Sequence, residues 1–144
     1  MRMTKKLKTE LFSEICSRIP YGLQINYKGD IYDVIGAFGN DKLLCVKPFM
    51  SKMEVLPITK VKLYLKPLYD LSIDEFNFLT EHIPYDFSGI YSGRFYLYDD
   101  IHKGNSVSID DMNFLLTCSN KWHYDYLDWI DKGFALKAPD EMYD

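Results

Sequence analysis

The chain has 144 residues, 47% of them hydrophobic and 26% charged, with 17 Lys and Arg against 21 Asp and Glu. That composition supplies a core and excludes a disordered tail, and no apolar run approaches the ~20 residues that span a bilayer. The basic start from Met1 to Lys8 is followed by Glu10, Glu14 and Arg18, so the apolar stretch of a secretory leader is missing. Cys16, Cys45 and Cys118 are odd in number and far apart, which fits free thiols in a cytoplasmic setting rather than a disulfide scaffold. Charge is divided along the chain: residues 1–67 hold twelve basic and six acidic residues, residues 68–144 hold five and fifteen.

Residues 4–19 predict an amphipathic helix, because Leu7, Leu11, Ile15 and Ile19 recur every four residues and Phe12 and Cys16 widen the stripe. Thr4 is placed to cap it, and Pro20-Tyr21-Gly22 ends it. From residue 23 the period becomes two: Leu23, Ile25 and Tyr27 alternate with polar residues, and Gly29-Asp30 turns into Ile31–Gly36. Further extended stretches follow at Lys42–Lys47, Met53–Leu56 and Lys60–Leu65, separated by turn residues and prolines. Four or five short antiparallel strands with tight turns describe a small, strongly bent, SH3-like sheet.

The second half contains a repeat. Ser72-Ile73-Asp74-Glu75-Phe76-Asn77-Phe78-Leu79 and Ser108-Ile109-Asp110-Asp111-Met112-Asn113-Phe114-Leu115 match at six of eight positions. Tyr85-Asp86-Phe87 then answers Tyr124-Asp125-Tyr126, and Phe95-Tyr96-Leu97 answers Phe134-Ala135-Leu136. Ser72 with Glu75, and Ser108 with Asp111, form helix-capping pairs, and Ile73, Phe76, Leu79 and Ile83 form one apolar face, as do Ile109, Met112, Leu115 and Leu116. The expected architecture is α+β: residues 1–70 as a helix plus small sheet, and residues 71–144 as a duplicated α-rich helix-turn-strand unit, with copies at about 71–100 and 107–139, in one continuous body.

Motifs for chemistry are sparse. There is no Cys-x-x-Cys, and His82, His102 and His123 lie about twenty residues apart, so no metal or cofactor is expected. Asp99-Asp100 and Asp110-Asp111 offer oxygens to a cation, but a helix start explains the second pair. Gly36-Ala37-Phe38-Gly39 lacks the third glycine of a dinucleotide fingerprint. Cys118 and His123 are too far apart to share a helical face as nucleophile and base. A helix–turn–helix over residues 108–119 and 123–132 would carry Asp125, Asp128 and Asp131 where phosphates would approach, and these acids repel them.

Two surfaces remain. Asp125, Asp128 and Asp131 with Tyr124 and Trp129 make an acidic, aromatic stretch of the kind that contacts another macromolecule. Lys42, Lys47, Lys52, Lys60 and Lys62, interleaved with Tyr27, Tyr32, Phe38, Phe49 and Tyr64, suit a nucleic-acid-binding sheet.

Three segments carry a resemblance: Ile19-Pro20-Tyr21-Gly22, Val61-Lys62-Leu63-Tyr64-Leu65-Lys66-Pro67-Leu68, and His123-Tyr124-Asp125-Tyr126 through Lys132-Gly133-Phe134-Ala135-Leu136-Lys137-Ala138-Pro139. Together they resemble a group of small uncharacterised proteins of phages and mobile elements from gut anaerobes, over about a third of the chain. In that group an Arg-Gly pair follows the Asp-Tyr, where this chain has Leu127-Asp128. The resemblance implies an accessory role and supplies no activity or catalytic residue to carry over. The leading expectation is a non-enzymatic, cytoplasmic protein that binds a partner protein through its acidic C-terminal half. A host defence or nucleic-acid-handling protein is the partner class suggested, with no membrane. The alternatives are a nucleic-acid-binding module using the basic sheet, and an enzyme of unknown substrate.

Overall fold

The structure is a computed structural model that describes residues 3–50, 52–82, 89–91, 94–96 and 109–144. The protein is mixed α+β, with an N-terminal helix against a mostly antiparallel sheet. Helix α1 runs Lys5–Arg18, and the Thr4 hydroxyl accepts the Leu7 amide at 3.1 Å. Its Leu11 and Ile15 are fully buried, as the four-residue spacing predicts. A short 3-10 turn, Ile19–Tyr21, ends at Gly22, whose φ of 78° is open to glycine at no steric cost.

Strands β1 (Gln24–Tyr27), β2 (Asp30–Phe38), β3 (Lys42–Val46) and β4 (Met53–Pro57) form an antiparallel meander. Strand β5 (Lys62–Pro67) returns to pair with β1 through Ile25 opposite Leu63. It begins later than the alternation suggests because Ile58–Lys60 closes into a 3-10 turn that buries Ile58. A bulge between Val34 and Gly36 lets Ile35 point outward while Val34 stays inside.

Helices α2 (Ile73–His82) and α3 (Ile109–Lys121) grow from the two matching octapeptides. At the start of α2 the Ser72 hydroxyl accepts the Glu75 amide and Glu75 Oε1 accepts the Ser72 amide, both at 3.1 Å, so this capping box forms. Ser108 and the side chains of Asp111, Ile109 and Met112 lie outside the described residues, as do Ile83, Tyr85-Asp86-Phe87, Leu97, Asp99-Asp100 and His102. The buried face of α2 centres on Leu79, which meets Leu115 and Cys118 of α3, whereas Ile73 stays exposed in the first turn. Strands β6 (Gly89–Tyr91) and β7 (Arg94–Tyr96) form a separate hairpin.

The helix over 123–132 that a helix–turn–helix would require does not form. The chain instead makes β8 (Tyr124–Asp125), a tight turn, and β9 (Ala135–Lys137). Both short strands run parallel to β5, at Lys66 opposite Tyr124 and Leu63 opposite Ala135. The Lys66 amide donates to the His123 carbonyl and the Leu65 carbonyl accepts the Ala138 amide, each at 2.8 Å. Consecutive residues of a strand aim these groups at opposite edges, so β8 and β9 flank β5 on either side. The second half of the chain thereby completes the sheet begun by the first. Trp129 and Phe134 fill the core beside Leu63 and Leu65.

Candidate functional site

The alternation in β3 and β4 divides their side chains cleanly. Leu43, Cys45 and Leu56 point into the core, so Lys42, Leu44 and Val46 of β3 and Met53, Val55 and Pro57 of β4 point outward. The register sets Leu44 beside Val55 and Val46 beside Met53, with Gly36 next to Leu44 and Phe38 next to Lys42 on β2. Gly36 leaves this surface flat, since a Cβ there would sit 3.7 Å from Leu44 Cβ. Ile35, Phe38, Met53 and Val55 are about half exposed, and Phe49 and Met50 in the turn between β3 and β4 are exposed too. Phe49 holds a φ of 67°, a left-handed conformation that costs energy for a bulky side chain. Together these side chains form a contiguous apolar face on the outer side of β2, β3 and β4.

The lysines divide by position. Lys42, Lys52 and Lys60 border this face and make no ion pair with a described residue. Lys47 is held by Asp30 at 3.2 Å and lies 5.5 Å from the Tyr32 ring centre. Lys62 sits on β5, at the far side of the sheet order. Tyr32 is buried, and its hydroxyl, hydrogen-bonded to Glu54, is held above the usual tyrosine range. Of the aromatics on the sheet, Phe38 and Phe49 are the ones open to a ligand, while Tyr27 and Tyr64 are partly or wholly covered.

The acidic, aromatic stretch corrects the sequence expectation. Tyr124 and Trp129 are each 1% exposed and Asp125 5%, so none of the three presents itself to a partner. Asp125 is a local organiser: Oδ1 accepts the Trp129 amide at 2.9 Å and Oδ2 the Ile130 amide at 2.8 Å. This closes the turn that the acid spacing alone had suggested was a helical stripe. Tyr124 donates to Glu75 Oε1 at 2.7 Å, and burial first, then Glu75, raises its phenol above the ordinary range. Asp128 and Asp131 do reach the surface, lining a small pocket of about 270 Å³ with Leu68, Tyr69 and Ile130.

A second, polar cluster lies where α1 meets β8. Arg18 is fully buried, with Nη2 donating to the Tyr124 carbonyl at 2.7 Å and facing Glu14 at 3.5 Å. His123 Nε2 sits 2.7 Å from the Tyr21 carbonyl, so it carries the proton, and its ring stacks on Tyr143 at 3.7 Å. Burial, with Arg18 and Lys66 nearby, lowers the His123 pKa to about 4. Cys118 and His123 share no hydrogen bond, and burial raises the Cys118 thiol, so this pair is not an activated nucleophile. Burial also pushes the Cys45 thiol up to about 12. The arrangement ties elements together and holds no accessible reacting group.

Among the described residues no three His, Cys, Asp or Glu side chains gather as a metal site, and no helix is long and apolar enough to cross a membrane. No family model matches this chain, and neither does any curated protein or solved structure.

Proposed function

We propose that this chain is a non-enzymatic, cytoplasmic macromolecule-binding protein of the phage or mobile-element accessory type, and that it grips a partner protein through the outer face of β2, β3 and β4. The observation that carries the reading is that face itself, where Ile35, Phe38, Met53 and Val55 lie half exposed beside Lys42, Lys52 and Lys60, which pair with no carboxylate among the described residues. An SH3-like barrel accounts for the sheet: the strand order β4-β3-β2-β1-β5 and the 3-10 turn ahead of β5 both suit it. A duplicated unit accounts for the second half, on the strength of the two helices that grow from matching octapeptides. Free thiols at Cys16, Cys45 and Cys118 suit a reducing compartment. The resemblance in three segments motivates the phage or mobile-element origin and a host defence or nucleic-acid-handling partner.

The test compares capture of partners from host lysate by the parent chain, by Phe38→Asp/Val55→Asp and by Asp128→Asn/Asp131→Asn. Both pairs are surface changes that should leave the melting temperature within a few degrees. Capture lost only in the first variant supports the sheet face, while capture lost only in the second returns the contact to the acidic pocket. Phe38 and Phe49, exposed near Lys42 and Lys52, favour single-stranded nucleic acid as a second reading. A salt titration against oligodeoxythymidine decides it, because phosphate contacts would make affinity fall steeply with salt. Ile35, Met53 and Val55, which make up most of the face, offer no ring for a base to stack on, so the leading reading expects no steep salt dependence.

A further inference from the structure

We infer that the free edge of β4 accepts an extended peptide segment as an added strand, and that this segment has an apolar centre flanked by acidic residues. The inference rests on the outer face being the binding surface, and it names the occupant. The Ile58 amide donates to the Asp41 carbonyl at 2.8 Å, which fixes the phase of the β3–β4 ladder. With Leu43 opposite Leu56 and Cys45 opposite Glu54, residues 54, 56 and 58 spend their main-chain groups on β3. Met53, Val55 and Pro57 therefore aim theirs at the other edge, and no described strand pairs there. Pro57 brings no amide, so the edge offers the N–H groups of Met53 and Val55 and the carbonyls of Met53, Val55 and Pro57. Unpaired edge groups of this kind are a template for strand addition.

The chemistry of the occupant follows from what surrounds the edge. Residues paired across an antiparallel ladder share a face, so side chains opposite Met53 and Val55 would lie on the apolar outer surface and should be apolar. Lys52 precedes β4, Lys60 follows it, and Lys42 lies across from Pro57, all three without a carboxylate partner among the described residues. The half-buried Glu54 side chain points to the inner face, towards Tyr32. Acids at the two ends of the incoming segment meet these cations, and acids at its centre do not.

The test uses a fluorescent peptide, acetyl-Asp-Glu-Val-Thr-Val-Glu-Asp-amide, with three relatives. One carries Lys at every acidic position, one is N-methylated at both valines and one is N-methylated at the threonine. If the valines pair with Met53 and Val55, methylating them removes the two donors that face β4, whereas methylating the threonine alters the outer edge of the added strand. The expected result is binding by the acidic peptide, retained by the threonine-methylated form and weakened about tenfold or more in the lysine and valine-methylated forms. Amide exchange at Met53 and Val55 should slow on binding. Equal affinity of the two methylated forms, or unchanged exchange at both amides, overturns strand addition while leaving the apolar face as the contact. Absence of binding by the acidic peptide also overturns it, whereas loss of partner capture in Phe38→Asp/Val55→Asp bears separately on the face.

Discussion

The Arg18 guanidinium is fully buried, with the Tyr126 ring centre 5.4 Å from its central carbon. Among the described residues its Nε and Nη1 have no hydrogen-bond partner, and neither has the Nδ1 of neighbouring His123. Burial foremost, and then the charges of Arg18 and Lys66, makes a second cation here costly, which is why His123 stays neutral in the folded chain. His123 tolerates its left-handed backbone, φ 60°, as Asn also would. In the unfolded chain the imidazole returns to its ordinary 6.5, so below that pH the unfolded state binds a proton that the folded state refuses. Stability is full above pH 6.5 and is lost as the pH falls towards 4. The expected loss between pH 7 and pH 5 is about 2 kcal/mol. Urea unfolding at the two pH values should show that loss, and His123→Asn should remove most of it.

At the scale of elements, what the sequence revealed was local. The spacing of Leu7, Leu11 and Ile15 with Thr4 ahead of them defines α1, and short apolar runs between turn residues and prolines mark β3 and β4. The matching octapeptides start helices, with the capping box at Ser72 as read. The stretch 123–132, open between a helix and a turn when read by spacing alone, takes a structure set by distant partners. His123 and Tyr124 dock on β5, which comes more than fifty residues earlier, and Asp125 then spends both oxygens on the next turn. No periodicity encodes a parallel pairing of two residues. The outer apolar face was missed for a related reason: the apolar run from Leu43 to Val46 carries no mark of which side chains face the core, and only the pairing register with the burial of Leu43, Cys45 and Leu56 separates them. Asp125→Ala should therefore cost about 2–3 kcal/mol, leaving two buried amides unpaired. Asp131→Ala, an exposed change, should stay within about 0.5 kcal/mol in the same thermal melts.

Across the whole molecule, the basic first half and the acidic second half share one sheet, because β8 and β9 flank β5. The junction between them is closed by Tyr143. Its hydroxyl accepts the Gln24 amide at 3.0 Å and lies 2.7 Å from the Tyr64 carbonyl, where β1 and β5 part company. Burial, the main cause, raises this phenol well above the usual tyrosine range, so it stays protonated and donates. Tyr143→Phe should cost about 1–3 kcal/mol and speed hydrogen exchange at the Gln24 amide, read by mass spectrometry or NMR. Tyr143 also dictates an order of events on the ribosome. Gln24 and Tyr64 emerge many seconds of synthesis before it, at ~5–20 residues per second. Until then that corner of the nascent sheet is hydrated and unlatched, and a molecule interrupted short of Tyr143 would carry an open seam to which chaperones or proteases gain first access.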